Sequence, residues 1–202
     1  MSAHASSGSL VSASLAQSSV ATPVRAGAVL LSVALTAAAA QFTMPLPFTA
    51  VPFTLTPMVV LLTSAALGPR LGMLTQLIYL AAGAVGLPVF APSVLLPPGA
   101  ARLVGPTGGY LMAYPIAAFV TGWLATRGWD RRYVTSAGAM LIGLAIIFAG
   151  GVSWISVSVT HSLPSAFASG FAPFIAFDIV KVAAAAAVLP QAWKLIGRSP
   201  TS

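Results

Sequence analysis

The chain has 202 residues, of which 58% are hydrophobic and only 5% are charged. Typical globular domains carry about 25% charged residues, so nine Lys/Arg, two Asp/Glu and two His cannot build a soluble surface over this length. The chain has no cysteine, which excludes disulfides, thiolate metal sites and cysteine nucleophiles. The formal charge of +7 comes from basic residues scattered singly between apolar runs, a pattern unlike the clustered stripe of a nucleic-acid-binding protein. The composition predicts an all-α, polytopic membrane protein.

The first 23 residues are rich in Ser and Ala and have no apolar period, which predicts a flexible leader outside the membrane at residues 1–23. The apolar stretch that follows Arg25 could be a secretory signal peptide, because Ala38, Ala39 and Ala40 resemble a cleavage site. We expect it to be retained as the first membrane helix, because more apolar segments follow and no soluble domain does.

The apolar segments have the length of membrane spans, which need about 20 mainly apolar residues. Breaks at Pro/Gly clusters and at charges divide the chain into segments. They predict six spans at about 24–42, 54–69, 71–87, 108–127, 133–154 and 171–194. These spans form one membrane domain at residues 24–197, followed by a short tail at 198–202.

The distribution of basic residues predicts the orientation of these spans. With six spans and both termini in the cytoplasm, Arg102 is the only basic residue in an outer loop, and Lys181 lies within the sixth span. The remaining basic residues all fall on the inner side: Arg25, Arg70, Arg127, Arg131, Arg132, Lys194 and Arg198. This asymmetry is the one that the positive-inside rule describes.

Two outer loops are unusual, because they are apolar and rich in proline, which cannot continue a regular helix. They cover residues 43–54 and 86–110. Irregular backbone at membrane depth is tolerated where it is buried in protein or lines a cavity. We expect both loops to act as lids over an outward-facing site; the alternative is that they are connectors lying on the lipid headgroups.

Asp178 and Lys181 are the most informative residues of the sequence. They lie three residues apart in the sixth span and therefore share a helix face. Each charge costs about 2.5–3.5 kcal/mol at the centre of a membrane helix on insertion scales, so the pair needs a compensating role. One role is an internal ion pair that fixes helix packing. The other is a polar cluster that binds a neutral ligand, with the ammonium donating to a carbonyl and the carboxylate accepting N–H groups.

The single outer arginine, Arg102, allows two interpretations. It could bind an anionic group of a ligand with both arms of its guanidinium. It could equally contact a lipid phosphate in the headgroup layer. On the first helix, Ala34 and Ala38 are four residues apart, a spacing of small residues that allows another helix to approach closely.

Enzymatic functions are poorly supported by the sequence. His161 stands near Ser158 and Ser162 in the last outer loop, but such adjacency is weak evidence of a catalytic dyad. The other histidine, His4, is in the leader, so we expect no metal site. Neither lysine belongs to a phosphate-binding Gly-Lys-[Ser/Thr] loop, so the energy for any transport would come from another subunit or from a gradient. We therefore expect no catalytic residues and no cofactor.

Several motifs, in order, give the chain a family likeness. It resembles the BioY family, the biotin-specific substrate-capture (S) components of energy-coupling factor (ECF) transporters. The matching segments are MPLPFTAVPFT at 44–54, LGPRLG at 67–72, YLAAGAVGLPVF at 79–90, GPTGGY at 105–110 and DIVK at 178–181. They extend the likeness over about residues 25–190.

This resemblance implies a six-helix S-component bundle in a prokaryotic cell membrane, with an outward-facing biotin pocket. It implies that Asp178 and Lys181 hold the ureido ring, that Arg102 lies near the valerate carboxylate, and that Tyr79 also belongs to the biotin site. It further implies that Ala34 and Ala38 dock a transmembrane coupling protein, which acts with two ABC-type ATPases. The competing functions are an S component for another small vitamin and a structural or lipid-binding membrane subunit that does not transport.

Overall fold

The structure, a computed structural model, describes residues 9–10, 21–47, 49–93 and 96–196. Most of the predicted leader (residues 1–8 and 11–20) and all of the predicted tail (198–202) lie outside the described residues, and so does Arg198. Within the leader, Ser9 and Leu10 are described and buried, and Leu10 joins the hydrophobic core.

The described chain is a helical bundle in which helices correspond to all six predicted spans. The long elements are α1 (Ala21–Gln41), α2 (Thr56–Leu67), α3 (Pro69–Ala84), α5 (Gly108–Thr126), α6 (Tyr133–Ser158), α8 (Ile175–Ala186) and α9 (Val188–Ile196). The predicted sixth span is therefore divided into α8 and α9. It also begins later than expected, at Ile175 rather than near Phe171.

Among the described residues, three helical segments are long and apolar enough to cross a membrane: Thr22–Gln41, Tyr133–Ser158 and Ile175–Lys194. This makes the chain a membrane protein. The other predicted spans are shorter or less apolar. At 1.5 Å per residue, the 12 residues of α2 and the 16 residues of α3 reach only about 18 and 24 Å, and α5 carries Tyr110, Tyr114 and Pro115 within its 19 residues.

Glycines allow α5 and α6 to pack closely along their length. A Cβ at Gly109 would strike Trp154 and the Gly150 carbonyl, and a Cβ at Gly143 would strike Thr121. These contacts place the start of α5 beside the end of α6, so the two helices are antiparallel. Because apolar lipid gives little hydrophobic drive for helix association, such close approach is a main source of packing energy in a membrane.

The α2–α3 turn and the end of α5 meet at the opposite end of the bundle. Gly68 links α2 to α3 with φ of 83°, a conformation that favours glycine, and Pro69 then begins α3. A Cβ at Gly122 of α5 would overlap the backbone of Gly68 and Pro69. This end, which we call the basic end, carries Arg70, Arg127, Arg131, Arg132 and Lys194.

The other end of the bundle, called the loop end, is formed by the two proline-rich segments. The first was expected to be irregular, but its two ends pair as short antiparallel strands, β1 (Thr43–Met44) and β2 (Phe53–Thr54). Its three prolines lie between the strands, where no backbone donor is needed for pairing. The second segment contains the short helix α4 (Ala101–Val104). The last predicted outer loop, between the fifth and sixth spans, contains the short helix α7 (Leu163–Gly170).

Candidate functional site

A cavity lies at the loop end, between the β1–β2 segment, the segment before α5, and the bundle helices. Its walls are mainly apolar and aromatic, and its polar groups are few, as in most small-molecule sites. The lining residues that matter for its chemistry are Thr54, Thr56, Tyr79, Phe90, Arg102, Tyr110, Tyr114 and Asp178. A second cavity at the same end shares lining residues with the first, including Phe90 and Arg102. Both proline-rich segments therefore wall the cavity, as a lid would.

Asp178 lies in the first turn of α8 and is only 5% exposed. Its carboxylate forms an ion pair with the Lys181 ammonium, so the prediction that the two residues share a helix face is confirmed. Two features stabilise this buried charge: the paired lysine, and a position at the helix N-terminus, where the helix dipole favours an anion. Because α8 begins at Ile175, Asp178 is about 5 Å from the helix start at 1.5 Å per residue, rather than the 10 Å expected from a start near Phe171.

Lys181 connects α8 to the first proline-rich segment. Its Nζ donates a hydrogen bond to the Thr54 carbonyl oxygen at 2.6 Å and lies 4.0 Å from the centre of the Phe53 ring. The same ring packs edge-on against Phe177 at a centroid distance of 5.6 Å. The ammonium therefore has three partners, an anion, a carbonyl and an aromatic face, all supplied by the protein.

Arg102 is buried within the second proline-rich segment. Its Nε donates to the Pro97 carbonyl at 3.0 Å, Nη1 to the Ala91 carbonyl at 3.1 Å, and Nη2 to the Ser93 carbonyl at 3.5 Å. Burial lowers the pKa of the guanidinium from its usual value, but arginine stays charged at neutral pH. The side chain thus ties the loop together while lining the cavity. Its burial disfavours the alternative of contact with lipid headgroups.

Tyr79 and Gln41 hold the same segment from the helix side. Tyr79 is fully buried, its hydroxyl donates to the Val89 carbonyl at 3.2 Å, and its ring packs edge-on against Phe90 at 5.3 Å. Gln41, the last residue of α1, donates from Nε2 to the carbonyls of Pro88 and Phe90. Tyr79 therefore both lines the cavity and anchors its lid.

The lining residues that the sequence reasoning missed include two tyrosines and a threonine. Tyr110 and Tyr114 line the wall from α5, and the Tyr110 hydroxyl donates to the Gly170 carbonyl. The GPTGGY motif was the available signal for Tyr110, since Gly108 and Gly109 let the start of α5 pack closely beside Trp154. Thr56 is the threonine, and nothing in the sequence distinguishes it from the other threonines near it.

The other predicted residues lie away from the cavity. Ala34 and Ala38 are both exposed on α1. His161 is exposed at the turn between α6 and α7 with φ of 50°, and the Ser158 hydroxyl donates to the Trp154 carbonyl. Within the described residues, no group of three or more His, Cys, Asp or Glu side chains could hold a metal ion.

Comparison with known proteins places the chain in a family. Residues 12–198 match the model of the BioY family. The "Probable biotin transporter BioY" of Pyrococcus horikoshii is 44% identical over 157 residues, covering 78% of this chain and 88% of that protein. The "Biotin transporter BioY" of Thermotoga maritima is 40% identical over 150 residues, covering 74% and 85%.

The fold has a counterpart among solved structures. The crystal structure of the S-component for biotin from an ECF-type ABC transporter superposes with a TM-score of 0.79 at 22% identity, covering 88% of this chain and 95% of that one. The bundle therefore has the fold of an ECF S-component, and the resemblance suggested by the sequence motifs is confirmed. The chain belongs to the BioY family.

Proposed function

We propose that this chain is the biotin-binding subunit of a biotin uptake transporter. The observation that carries this proposal is the buried Asp178–Lys181 ion pair beside an apolar cavity that proline-rich segments cover at one end of the bundle. Its relatives bear the name biotin transporter. Family membership alone does not give the chemistry, which depends on the fit between the cavity and the ligand.

The polar and apolar parts of the cavity match the two parts of biotin. The ureido group offers a carbonyl oxygen and N–H donors, for which the Lys181 ammonium and the Asp178 carboxylate are the complementary donor and acceptor. Asp178 lines the cavity, whereas Lys181 lies behind it as its ion-pair partner and is not itself a lining residue. The aromatic walls, including Tyr79, suit the thiophane ring and the valeryl chain. The Arg102 guanidinium is the one basic group in the cavity lining and is assigned to the valerate carboxylate.

The same proposal includes the placement of the chain in a prokaryotic cell membrane. Six spans with both termini in the cytoplasm would put the basic end inside and the loop end outside, in agreement with the positive-inside rule. The short α2 and α3 would then cross by local thinning of the bilayer or with help from flanking residues. Biotin would enter at the loop end.

Energy for uptake would come from partner subunits. Neither lysine belongs to a nucleotide-binding loop, and Asp178 with Lys181 forms an internal ion pair rather than a chain of proton carriers. We assign this role to an ECF transmembrane coupling protein and two ABC-type ATPases. The coupling protein would contact α1 at Ala34 and Ala38, which are exposed and small.

The proposal is tested by biotin binding to the purified, full-length protein. We expect biotin to co-purify, as identified by mass spectrometry, and Asp178→Asn or Lys181→Gln to weaken binding by about 10- to 150-fold, the equivalent of one charge-assisted hydrogen bond. Asp130→Asn and Lys194→Gln, which make the same changes at the basic end, serve as matched controls and should bind as the wild type does.

Loss of folding must be separated from loss of binding. Each single change strands a buried charge, so the double variant Asp178→Asn/Lys181→Gln should recover expression and thermal stability while still binding poorly. Wild-type affinity in Asp178→Asn would show that the ureido assignment is wrong. Co-purification of a different small vitamin would instead identify another substrate for the same cavity.

A further inference from the structure

Thr56 carries a buried hydroxyl that the protein itself leaves without a partner. It is the first residue of α2, is 2% exposed, and lines the cavity. Its Oγ1 accepts and donates no hydrogen bond in the structure. Buried polar side chains are usually hydrogen-bonded, so an unpaired hydroxyl facing a ligand cavity needs an explanation.

Its place in the helix explains why Thr56 lacks the usual internal partner. The buried hydroxyls of Thr36, Ser64 and Thr75 each donate to the carbonyl of the residue four positions earlier in the same helix. Thr56 begins its helix, so no helical carbonyl precedes it. It makes no capping bond either, because α2 has no side-chain cap. The hydroxyl therefore has no structural task to explain its retention in a buried, apolar setting.

The surroundings of Thr56 connect it to the charged pair. The carbonyl of Thr54, two residues earlier, accepts the hydrogen bond from Lys181, and the Thr54 hydroxyl accepts one from the Thr56 backbone N–H at 3.3 Å. Thr56 and Asp178 line the same cavity. Two tyrosine hydroxyls of the wall, those of Tyr79 and Tyr110, donate to backbone carbonyls, whereas the Thr56 hydroxyl makes no hydrogen bond of either kind.

A count of donors and acceptors gives the hydroxyl a role. A cyclic urea presents one carbonyl oxygen flanked by two N–H groups. Lys181 supplies a donor for the carbonyl and Asp178 an acceptor for one N–H, which leaves the second N–H without a partner. We propose that the Thr56 hydroxyl accepts the second ureido N–H and thereby makes the site specific for a cyclic urea with both nitrogens protonated. This inference rests on the proposed function, because it specifies how the same cavity recognises its ligand.

The inference is tested by removing the hydroxyl without changing the shape of the side chain. Thr56→Val should weaken biotin binding by about 3- to 10-fold, as expected for one neutral hydrogen bond, while Thr56→Ser should bind within about twofold of the wild type. Thr63→Val is the matched control: it removes a hydroxyl from the same helix, but that hydroxyl bonds to the Val59 carbonyl away from the cavity lining. The affinity of Thr63→Val for biotin should equal that of the wild type.

A stability measurement distinguishes this role from a structural one. Since the hydroxyl is unpaired without ligand, the melting temperature of ligand-free Thr56→Val should equal or exceed that of the wild type. A fall in both melting temperature and affinity would mean that Thr56 acts through the fold and would overturn the inference.

Ligand analogues identify the bond itself. Two cyclic carbamates, each with a different ureido N–H replaced by oxygen, should both bind the wild type less well than biotin does. Thr56→Val should lower the affinity for one isomer, relative to the wild type, and leave the affinity for the other isomer unchanged. An equal loss of affinity for both isomers would overturn the inference. If Thr56→Val binds biotin with the same affinity as the wild type, this inference alone is overturned. If the wild-type protein does not bind biotin, the proposed function is overturned as well.

Discussion

At the scale of single residues, the charged side chains near the cavity are already paired before any ligand is present. Lys181 contacts Asp178, the Thr54 carbonyl and the Phe53 ring, and Arg102 donates to three backbone carbonyls. Such preorganisation keeps the charges stable in an apolar setting. If the cavity binds its ligand as proposed, the ligand joins an existing network, which lowers the conformational cost of binding.

The proposed ligand contact of Arg102 and its bonds within the loop can be separated by one experiment. If it binds the valerate carboxylate, Arg102→Ala should weaken biotin by about 10- to 150-fold, as expected for a charge-assisted hydrogen bond. The affinity for biotin methyl ester, which lacks the negative charge, should fall much less in the same variant. Equilibrium titration of both ligands against the wild type and the variant gives the two ratios.

The loop-tying role of Arg102 predicts a different pattern. Loss of the bonds to Ala91 and Pro97 would loosen the segment and weaken both ligands equally. Arg102→Lys is an informative second variant, because it keeps the charge but lacks the guanidinium fork. Equal losses for acid and ester in Arg102→Ala would contradict the carboxylate assignment.

The residue spacing predicted some of these contacts and not others. Asp178 and Lys181 meet because residues three apart on a helix are neighbours, whatever the rest of the fold does. The bonds of Arg102 to loop carbonyls depend on an irregular backbone that no periodic pattern describes. The unpaired hydroxyl of Thr56 depends on where α2 begins and on what surrounds it, and neither is visible in the local sequence.

At the scale of elements, Asp130 links α9 to the turn between α5 and α6 by a hydrogen bond. The sequence analysis did not consider this residue. Asp130 is 1% exposed, and its Oδ2 accepts a hydrogen bond from Trp193 Nε1 at 2.6 Å. Arg131 lies 3.6 Å from the other carboxylate oxygen and stacks on the Trp193 ring at 3.5 Å. This cluster fixes the end of the described chain to the basic end of the bundle.

Asp130 should make stability depend on pH. Burial raises the pKa of this carboxyl above its ordinary value of 3.8, although the Trp193 hydrogen bond and Arg131 act in the opposite direction. The folded protein therefore holds this proton more tightly than the unfolded chain. The stability that Asp130 contributes is fully present below pH 3.8 and is lost as the pH rises through the raised folded pKa.

Two variants check this sign. Asp130→Asn keeps an oxygen for Trp193 but does not titrate, so it should be at least as stable as the wild type at pH 7 and lack this pH dependence. Asp130→Ala removes the acceptor and should cost up to about 1–3 kcal/mol at the same pH, because it leaves the half-buried Trp193 indole N–H without its partner. Thermal unfolding in detergent across the pH range measures both. A clearly less stable Asp130→Asn at neutral pH would contradict the argument.

The sequence predicted the helices better than the connections between them. Apolar runs bounded by Pro, Gly and charges located α1, α5 and α6 closely. The pairing of β1 with β2 joins residues on either side of a proline-rich loop, so it follows from the packing of that loop and not from a local alternation of side chains. The short α4 and α7 likewise lie in segments where prolines interrupt any helical period.

At the scale of the whole molecule, the cavity and the docking face proposed on α1 lie on different parts of the bundle. The cavity lies at the loop end, and the basic residues collect at the opposite end. α1 runs between the two, from Ala21 to Gln41, with the loop-end contacts of Gln41 at one extreme. Its exposed side carries Leu30, Leu31, Ala34 and Ala38, which are free to contact lipid or another subunit.

If this face of α1 docks the coupling protein, a bulky residue there should prevent assembly without affecting the ligand. Ala34→Trp or Ala38→Trp would hold the partner helix away, since close approach depends on small side chains. We expect biotin affinity to stay within about twofold of the wild type, because α1 reaches the cavity lining only at Ala40. Pull-down of the coupling protein and ATP-driven uptake in proteoliposomes should both be lost.

Leu141→Trp, on the exposed side of α6, is the control for a bulky lipid-facing residue and should assemble normally. Unchanged assembly in both alanine variants would exclude α1 as the docking face, and energised uptake by the chain alone would contradict its dependence on ATPase partners.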